Sequence, residues 1–483
     1  MVIDALKYQI LQQFGFVPTE EQGQALDAFA RFLTDRDPDA VMILRGSAGT
    51  GKTSLSGAIV RTLKAIRQKV MLLAPTGRAA KVFSLNSGYP AYTIHRRIYR
   101  EKSFAGVDGQ FNLNDNLFTD TLFMVDEASM ISNLGLGGGN FGSGCLLDDL
   151  VRFVYQGHND RLMLIGDKAQ LPPVGEEESP ALNRMMLEGY GLKVYECDLN
   201  EVLRQSQESG ILYNATVIRQ MITHDDITQL PLIRFKGFAD IVMMPGNELV
   251  ESLANSYYRV GQDETMVITR SNKRANIYNN GIRNMVLDRE DELSCGDMLM
   301  IVKNNYFWTG KERNEAKEAL NAIPPFLANG DRAKVLRVSR HLELYGFRFA
   351  TLLLQFPDYD NYEMSVTALL DTLQSEAPAL THEQQEQLFH GVEEDYQDVP
   401  LKSDRMKAIR GDQYFNALQV KYAYAITCHK AQGGQWEHVY VDQGYMTDDM
   451  LTPDYIHWLY TAFSRAKDKL FLVNWPKTQT EQA

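Results

Sequence analysis

Residues Gly46 to Thr53 read Gly-Ser-Ala-Gly-Thr-Gly-Lys-Thr, the complete pattern of a phosphate-binding loop. Glycines at 46, 49 and 51 free the loop backbone, including Ser47, Ala48 and Thr50, to curl its N–H groups around a β-phosphate. Lys52 is spaced to reach the β- and γ-oxygens, and the Thr53 hydroxyl to ligate Mg²⁺. Two further groups complete a hydrolytic set. Adjacent carboxylates at Asp126 and Glu127 suit metal binding and activation of an attacking water, and Gln170 suits sensing of a γ-phosphate. Such chemistry also needs guanidinium groups on the transferring phosphate, because the planar fork of arginine pairs with phosphate oxygens; Arg204 and Arg465 are the candidates.

Each of these groups must be held by a particular element. Val41–Leu44 is a short apolar run, and residues 54–66 carry apolar side chains at helical spacing, so the loop joins a buried strand to a helix. Leu122–Val125 similarly delivers Asp126, and Leu164–Gly166 precedes Gln170. Strands are expected at 41–45, 69–74, 121–126, 161–166 and 193–198, alternating with helices, which predicts a parallel α/β sheet covered on both faces. A second strand–helix rhythm appears at 264–285 and returns at 437–442 and 469–474. Between its parts, 297–420 holds short strand-like runs and an acidic stretch at 375–398, read as an all-β insertion with a solvated helix or mobile connection.

The chain has 483 residues, 44% of them hydrophobic, and a formal net charge of −13. This describes a soluble multidomain protein and argues weakly against nucleic acid, although a local basic groove is compatible with an acidic whole. No run reaches membrane-spanning length, and no basic-then-apolar leader opens the chain, so a cytoplasmic location is expected. Cys145, Cys197, Cys295 and Cys428 are scattered without metal-ligand spacing, which predicts reduced thiols and no structural metal.

The order of these motifs resembles the superfamily 1 helicases, specifically the B branch with its RecD-like and Dda-like enzymes. Thr19-Glu-Glu-Gln22 resembles the glutamine motif that reads adenine, and Leu199 to Gln205 the segment whose arginine, here Arg204, faces the nucleotide. Pro75-Thr76-Gly77-Arg78 and Thr93-Ile-His95 resemble the first-domain motifs that contact single strands. In the second domain, Ile268 to Asn272, with Asn276 and Arg283, resembles the fourth motif. Tyr424 to Trp436, with Thr427, His429, Lys430 and Gly434, resembles the fifth, and Tyr460 to Ala466 the sixth, whose arginine, here Arg465, acts across the domain cleft. Ala328 to Asp331 is similar to the start of an SH3-like module in these enzymes.

The resemblance implies an ATP- and Mg²⁺-dependent DNA helicase moving 5′ to 3′ along single strands, with single/double-strand junctions as substrate. The chain is expected to be a monomer with DNA repair or recombination partners. It implies two RecA-like motor domains, at 1–96 with 122–225 and at 226–300 with 415–483. A hairpin insertion at 97–121 and an SH3-like β insertion at 301–414 complete the division. Gln22 and Gly434 join residues 46–53 as nucleotide contacts. Strand grip needs polar and basic donors for phosphates and flat side chains for bases. Thr76, Arg78, Thr93, His95, Asn272, Thr427, His429 and Lys430 are the candidate donors, with Pro75 and Gly77 beside them. Phe104 and Phe111 flank an Asp108-Gly109 turn; this hairpin is either a strand-separating pin or an ordinary hairpin whose aromatics pack at home. The glycine-rich run 135–144 is read as a flexible surface loop. An RNA-acting relative, a P-loop switch and a motor subunit of a nuclease complex are the alternatives.

Overall fold

The computed structural model describes residues 2–104, 109–135, 142–201, 208–224, 227–310 and 327–481. Its first eight strands are β1 (Ala40–Gly46), β2 (Lys69–Ala74), β3 (Ala91–Thr93), β4 (Tyr99–Phe104), β5 (Gly109–Leu113), β6 (Thr121–Val125), β7 (Arg161–Gly166) and β8 (Lys193–Leu199). Six of them form one parallel sheet in the order β3-β2-β6-β7-β1-β8, while β4 and β5 pair apart as a hairpin. Every residue of β1, β6 and β7 is buried, as two-sided coverage requires. Alternation along β1 shows the two faces. Met42 and Leu44 pack with Leu55, Ile59 and Leu63, whereas Val41 and Ile43 pack with Leu147, Leu150 and Phe153.

The remaining strands are β9 (Ile241–Met244), β10 (Thr265–Thr269), β11 (Met298–Ile301), β12 (Arg332–Leu344), β13 (Phe347–Phe356), β14 (Tyr362–Leu369), β15 (Leu418–Tyr422), β16 (Ala425–Thr427), β17 (Trp436–Asp442) and β18 (Ala466–Val473). A second parallel sheet runs β16-β10-β17-β18-β9, and β11 to β15 close into a barrel. The fold class is therefore α/β: two RecA-like parallel sheets, a hairpin inserted in the first and a small all-β barrel in the second. The acidic stretch includes a capped helix, His382–Asp395, that buries Leu388 and Val392 against Phe347, Phe349 and Ile409 and leaves its acids outward. No helix among the described residues is long and apolar enough to cross a membrane.

Barrel and second sheet share one core, with Ile268 and Val441 in the same cluster as Leu352 and Leu354. A buried polar knot bolts them together. The Asp297 carboxylate accepts from Arg283 Nε at 3.0 Å, Arg289 Nη1 at 2.8 Å, Tyr424 Oη at 2.8 Å and the Ser294 N–H at 2.7 Å. Arg283 is thus a structural residue here. Removing one side of such a knot leaves buried cations unpaired, so Asp297→Ala should cost about 3–5 kcal/mol, read as a lowered denaturant midpoint.

Candidate functional site

The buried β1 ends at the loop, and Gly49 and Gly51 take φ of 78° and 77°, left-handed values that favour glycine. The helix Lys52–Ala65 starts at once, aiming its N-terminus into the loop. Lys52 Nζ donates to the Gly46 carbonyl at 2.6 Å, and Thr50 Oγ1 to the Ser47 carbonyl at 2.9 Å, while Thr53 is exposed. Gln22 is fully engaged: its Nε2 donates to the Thr50 carbonyl at 2.9 Å and its Oε1 accepts from the Thr19 N–H at 3.0 Å. In this structure the glutamine braces the loop.

Asp126 leaves β6 beside that loop, its N–H donating to the Leu73 carbonyl at 3.0 Å. Glu127 sits in the left-handed region at φ 52°, costly for a non-glycine residue, and its N–H donates to Asp126 Oδ1 at 2.9 Å. Burial foremost, and then the Glu127 carboxylate, push the Asp126 carboxyl up to about 7, against the pull of Lys52. Gln170 is buried, and its Oε1 has no hydrogen-bond partner among the described residues. Asp167 lies between these groups. Burial raises its carboxyl, and it accepts from the Ala169 N–H at 3.0 Å and from Tyr460 Oη at 2.6 Å.

Tyr460 belongs to the second α/β domain, on the helix Pro453–Phe463. Positions 457, 460 and 461 share one helical face, and all three touch the first α/β domain. His457 Nδ1 lies 2.9 Å from the Ala169 carbonyl oxygen, Thr461 Oγ1 accepts the Leu171 N–H at 2.8 Å, and Tyr460 Oη accepts the Ala48 N–H at 3.0 Å. Gln432 Nε2 adds a bond to the Leu171 carbonyl at 2.7 Å. From the helix Gly210–Thr223, Arg219 donates to Ser47 Oγ at 2.5 Å. A cleft of about 340 Å³ opens among Ser47, Asp167, Asn200, Arg219 and His457. Of these groups, Asp167, Asn200, Arg219, Gln432, His457 and Tyr460 are not among the sequence-derived candidates. The 457/460/461 spacing beside Thr461 is the one signal that could have marked the helix face.

Arg465 is buried, and its guanidinium donates to the Thr461 carbonyl at 3.0 Å, the Gly434 carbonyl at 3.1 Å and Ser464 Oγ at 2.9 Å. These bonds all stay inside the second α/β domain. They also fix Gly434, where an added Cβ would come within 2.5 Å of the Trp436 ring. Arg204 lies outside the described residues.

The candidate strand-binding residues fall into distinct groups. Thr76 and Thr93 cap helix N-termini, accepting from the N–H groups of Ala79 and Arg96. Arg78, beside Pro75 and Gly77, spans the molecule: it donates to the Gln435 carbonyl at 2.8 Å, lies 4.6 Å from the Trp436 ring and 3.8 Å from Asp358 of the barrel. Gly77 packs so closely that a Cβ would stand 2.6 Å from Asp331 Oδ1. Lys430 donates to Asn329 Oδ1, and burial lowers it to about 8. Pro75 to Arg78, Lys430 and the barrel loop Ala328–Asp331 thus form one seam between both α/β domains and the barrel. Burial lowers His95 to about 4 and also lowers His429, so both rings are neutral at pH 7. Thr427 caps the short helix Cys428–Ala431 without a side-chain bond, and Asn272 donates to the Glu376 carbonyl at 3.3 Å, apart from the seam. The side chains of Phe104 and Phe111, the Asp108 turn and residues 136–141 of the glycine-rich run lie outside the described residues. No metal-ligating cluster of His, Cys, Asp and Glu occurs among the described residues.

A family model described as an AAA domain matches residues 19–220, and one described as a UvrD-like helicase C-terminal domain matches residues 422–473. An uncharacterised protein of Methanocaldococcus jannaschii is 34% identical over 171 residues, covering 33% of this chain and 14% of that protein. The ATP-dependent RecD2 DNA helicase of Deinococcus radiodurans is 30% identical over 157 residues, covering 32% of this chain and 18% of the helicase. The chain therefore spans less than a fifth of the length of these two curated relatives. A crystal structure of Bacteroides Pif1 helicase in complex with ADP-AlF3 and single-stranded DNA is similar over 97% of this chain and 95% of its own, with a TM-score of 0.47 at 14% identity.

Proposed function

We propose that this chain, which resembles the superfamily 1 helicases of the B branch in motif order and across both matched segments, is an ATP-driven DNA helicase. The observation that carries the reading is the face His457-Tyr460-Thr461 of the second motor. It reaches Ala48 of the phosphate loop and the Asp167–Leu171 segment. A rearrangement at the phosphate site is thereby felt directly by the other motor. In this reading residues 46–53 hold the phosphates, and Lys52 neutralises their developing charge. Glu127 orients the attacking water and takes its proton. Gln170, whose Oε1 has no partner among the described residues, positions that water, and Arg204 and Arg465 supply guanidinium charge once the cleft tightens. Thr53 and Asp126 offer only hard oxygen donors, which suit Mg²⁺; the ion would polarise the transferring phosphoryl group.

The strand would run along the seam at Pro75–Arg78 and Lys430, with Thr93, His95, Thr427 and His429 beside it and Asn272 meeting it beyond the seam. Neutral His95 and His429 then serve as hydrogen-bonding and stacking groups rather than as cations. The hairpin, with Phe104 and Phe111, would meet the single/double-strand junction. We read the motor as a 5′ to 3′ translocase that works as a cytoplasmic monomer with repair or recombination partners. The division into two motors, pin and barrel shifts at two bounds from 301–414 for the barrel and 225 for the first motor: the barrel strands run from Met298 to Tyr422, and the helix Gly210–Thr223 packs Ile211, Ala215 and Ile218 into the core of the second motor. The test is unwinding of DNA duplexes carrying a 5′ or a 3′ single-stranded tail. Opening of 5′-tailed duplexes alone is the expected result; a 3′ preference contradicts the polarity, and opening of RNA alone contradicts the substrate.

A further inference from the structure

We propose that Tyr460 is a positioning residue that latches the second motor onto the phosphate loop and competes with nucleotide for the Ala48 N–H. The inference rests on the nucleotide-driven reading above and deepens it. The Tyr460 side chain is buried at 1% exposure, and its hydroxyl is satisfied on both sides: it accepts the Ala48 N–H at 3.0 Å and donates to Asp167 Oδ2 at 2.6 Å. A phosphate loop works by offering N–H groups, and here one of them is spent on a side chain from the other motor. A phosphate oxygen is an anionic acceptor, and charge-assisted hydrogen bonds are roughly twice as strong as neutral ones. Phosphate also brings negative charge towards the Asp167 carboxylate, which holds the other side of the same hydroxyl.

Nucleotide binding and this contact therefore exclude each other at one atom. The other cross-motor bonds of the helix do not share that property. His457 and Thr461 meet the Ala169 carbonyl and the Leu171 N–H, neither of which belongs to the phosphate loop. Arriving nucleotide would release Tyr460 and leave its neighbours in place. The second motor could then pivot about the retained contacts, and by linkage whatever tightens the latch weakens nucleotide binding by the same factor.

The test is equilibrium binding of a non-hydrolysable fluorescent ATP analogue to the full chain, comparing Tyr460→Phe with the parent. Phenylalanine keeps the ring and removes the hydroxyl, and near-UV circular dichroism checks that the variant is folded. The expected result is up to about tenfold tighter binding, the size of the one neutral hydrogen bond that nucleotide no longer has to displace, with the analogue dissociating more slowly. Thr461→Val removes a cross-motor bond outside the phosphate loop and should leave affinity unchanged. Unchanged or weaker binding by Tyr460→Phe overturns the latch, since the hydroxyl would then be structural or a direct phosphate ligand. Equal tightening by Thr461→Val also overturns it, because general loosening of the interface would suffice. Failure of the parent to bind the analogue at all would instead sink the nucleotide-driven reading, and the latch with it.

Discussion

Lys52→Ala is expected to lower ATP hydrolysis by on the order of 10²–10³-fold or more, the loss that follows removal of one preorganised charge donor, while the thermal midpoint stays within a few degrees. Two effects combine. The lysine is the cation of the phosphate loop, and among the described residues its hydrogen bond is to the Gly46 carbonyl, so the fold loses little without it. Lys52 also opposes the burial and the Glu127 charge that raise Asp126. Without it the Asp126 carboxyl rises further and becomes more protonated at neutral pH, which weakens its grip on Mg²⁺. Steady-state hydrolysis and a melting curve on the same sample check this. Retained turnover would remove the loop from the chemistry.

Asp126→Asn should abolish turnover and yet stabilise the nucleotide-free protein above neutral pH. Its carboxyl stands at about 7, raised from 3.8, so the folded state prefers the protonated form. The stability this group contributes is present below about 4 and is lost as pH rises through 7. At pH 8 the parent holds a charged carboxylate in a poorly solvated place beside Glu127, and asparagine removes that charge. A gain of about 1–3 kcal/mol is expected at pH 8, shrinking towards zero near pH 4, where both side chains are neutral. Denaturant midpoints at the two pH values measure it. A loss of stability at pH 8 would mean that Lys52 already compensates the charge.

What could be read from the sequence was local. The strands around the phosphate loop are continuous apolar runs bounded by motif residues, and all five expected in the first sheet appear within a residue or so of their bounds. The positions of Lys52, Asp126 and Gln170 are legible because each stands within a few residues of the end of such a strand. Cross-domain partners were not readable. Tyr460 meets Ala48 and Asp167 from 412 and 293 residues away, and no pattern of spacing encodes such a contact. Arg78 and Arg465 show the same limit in another form. Their residue type suggested phosphate, yet here one stacks on Trp436 and the other feeds carbonyls of its own motor. An arginine has many routes to satisfaction, and packing chooses among them. His95 and His429 were counted among basic donors, and burial makes both neutral at pH 7.

On the proposed reading, phosphate chemistry in the first motor is coupled, through the second, to a nucleic-acid strand. The most direct test of this coupling is the steady-state rate of ATP hydrolysis by the full chain, with Mg²⁺, with and without single-stranded DNA. A slow basal rate that rises at least tenfold with DNA, and stays basal in Lys52→Ala whether or not DNA is added, is the predicted result. A rate indifferent to DNA and RNA alike would contradict the motor and leave a nucleotide switch in its place.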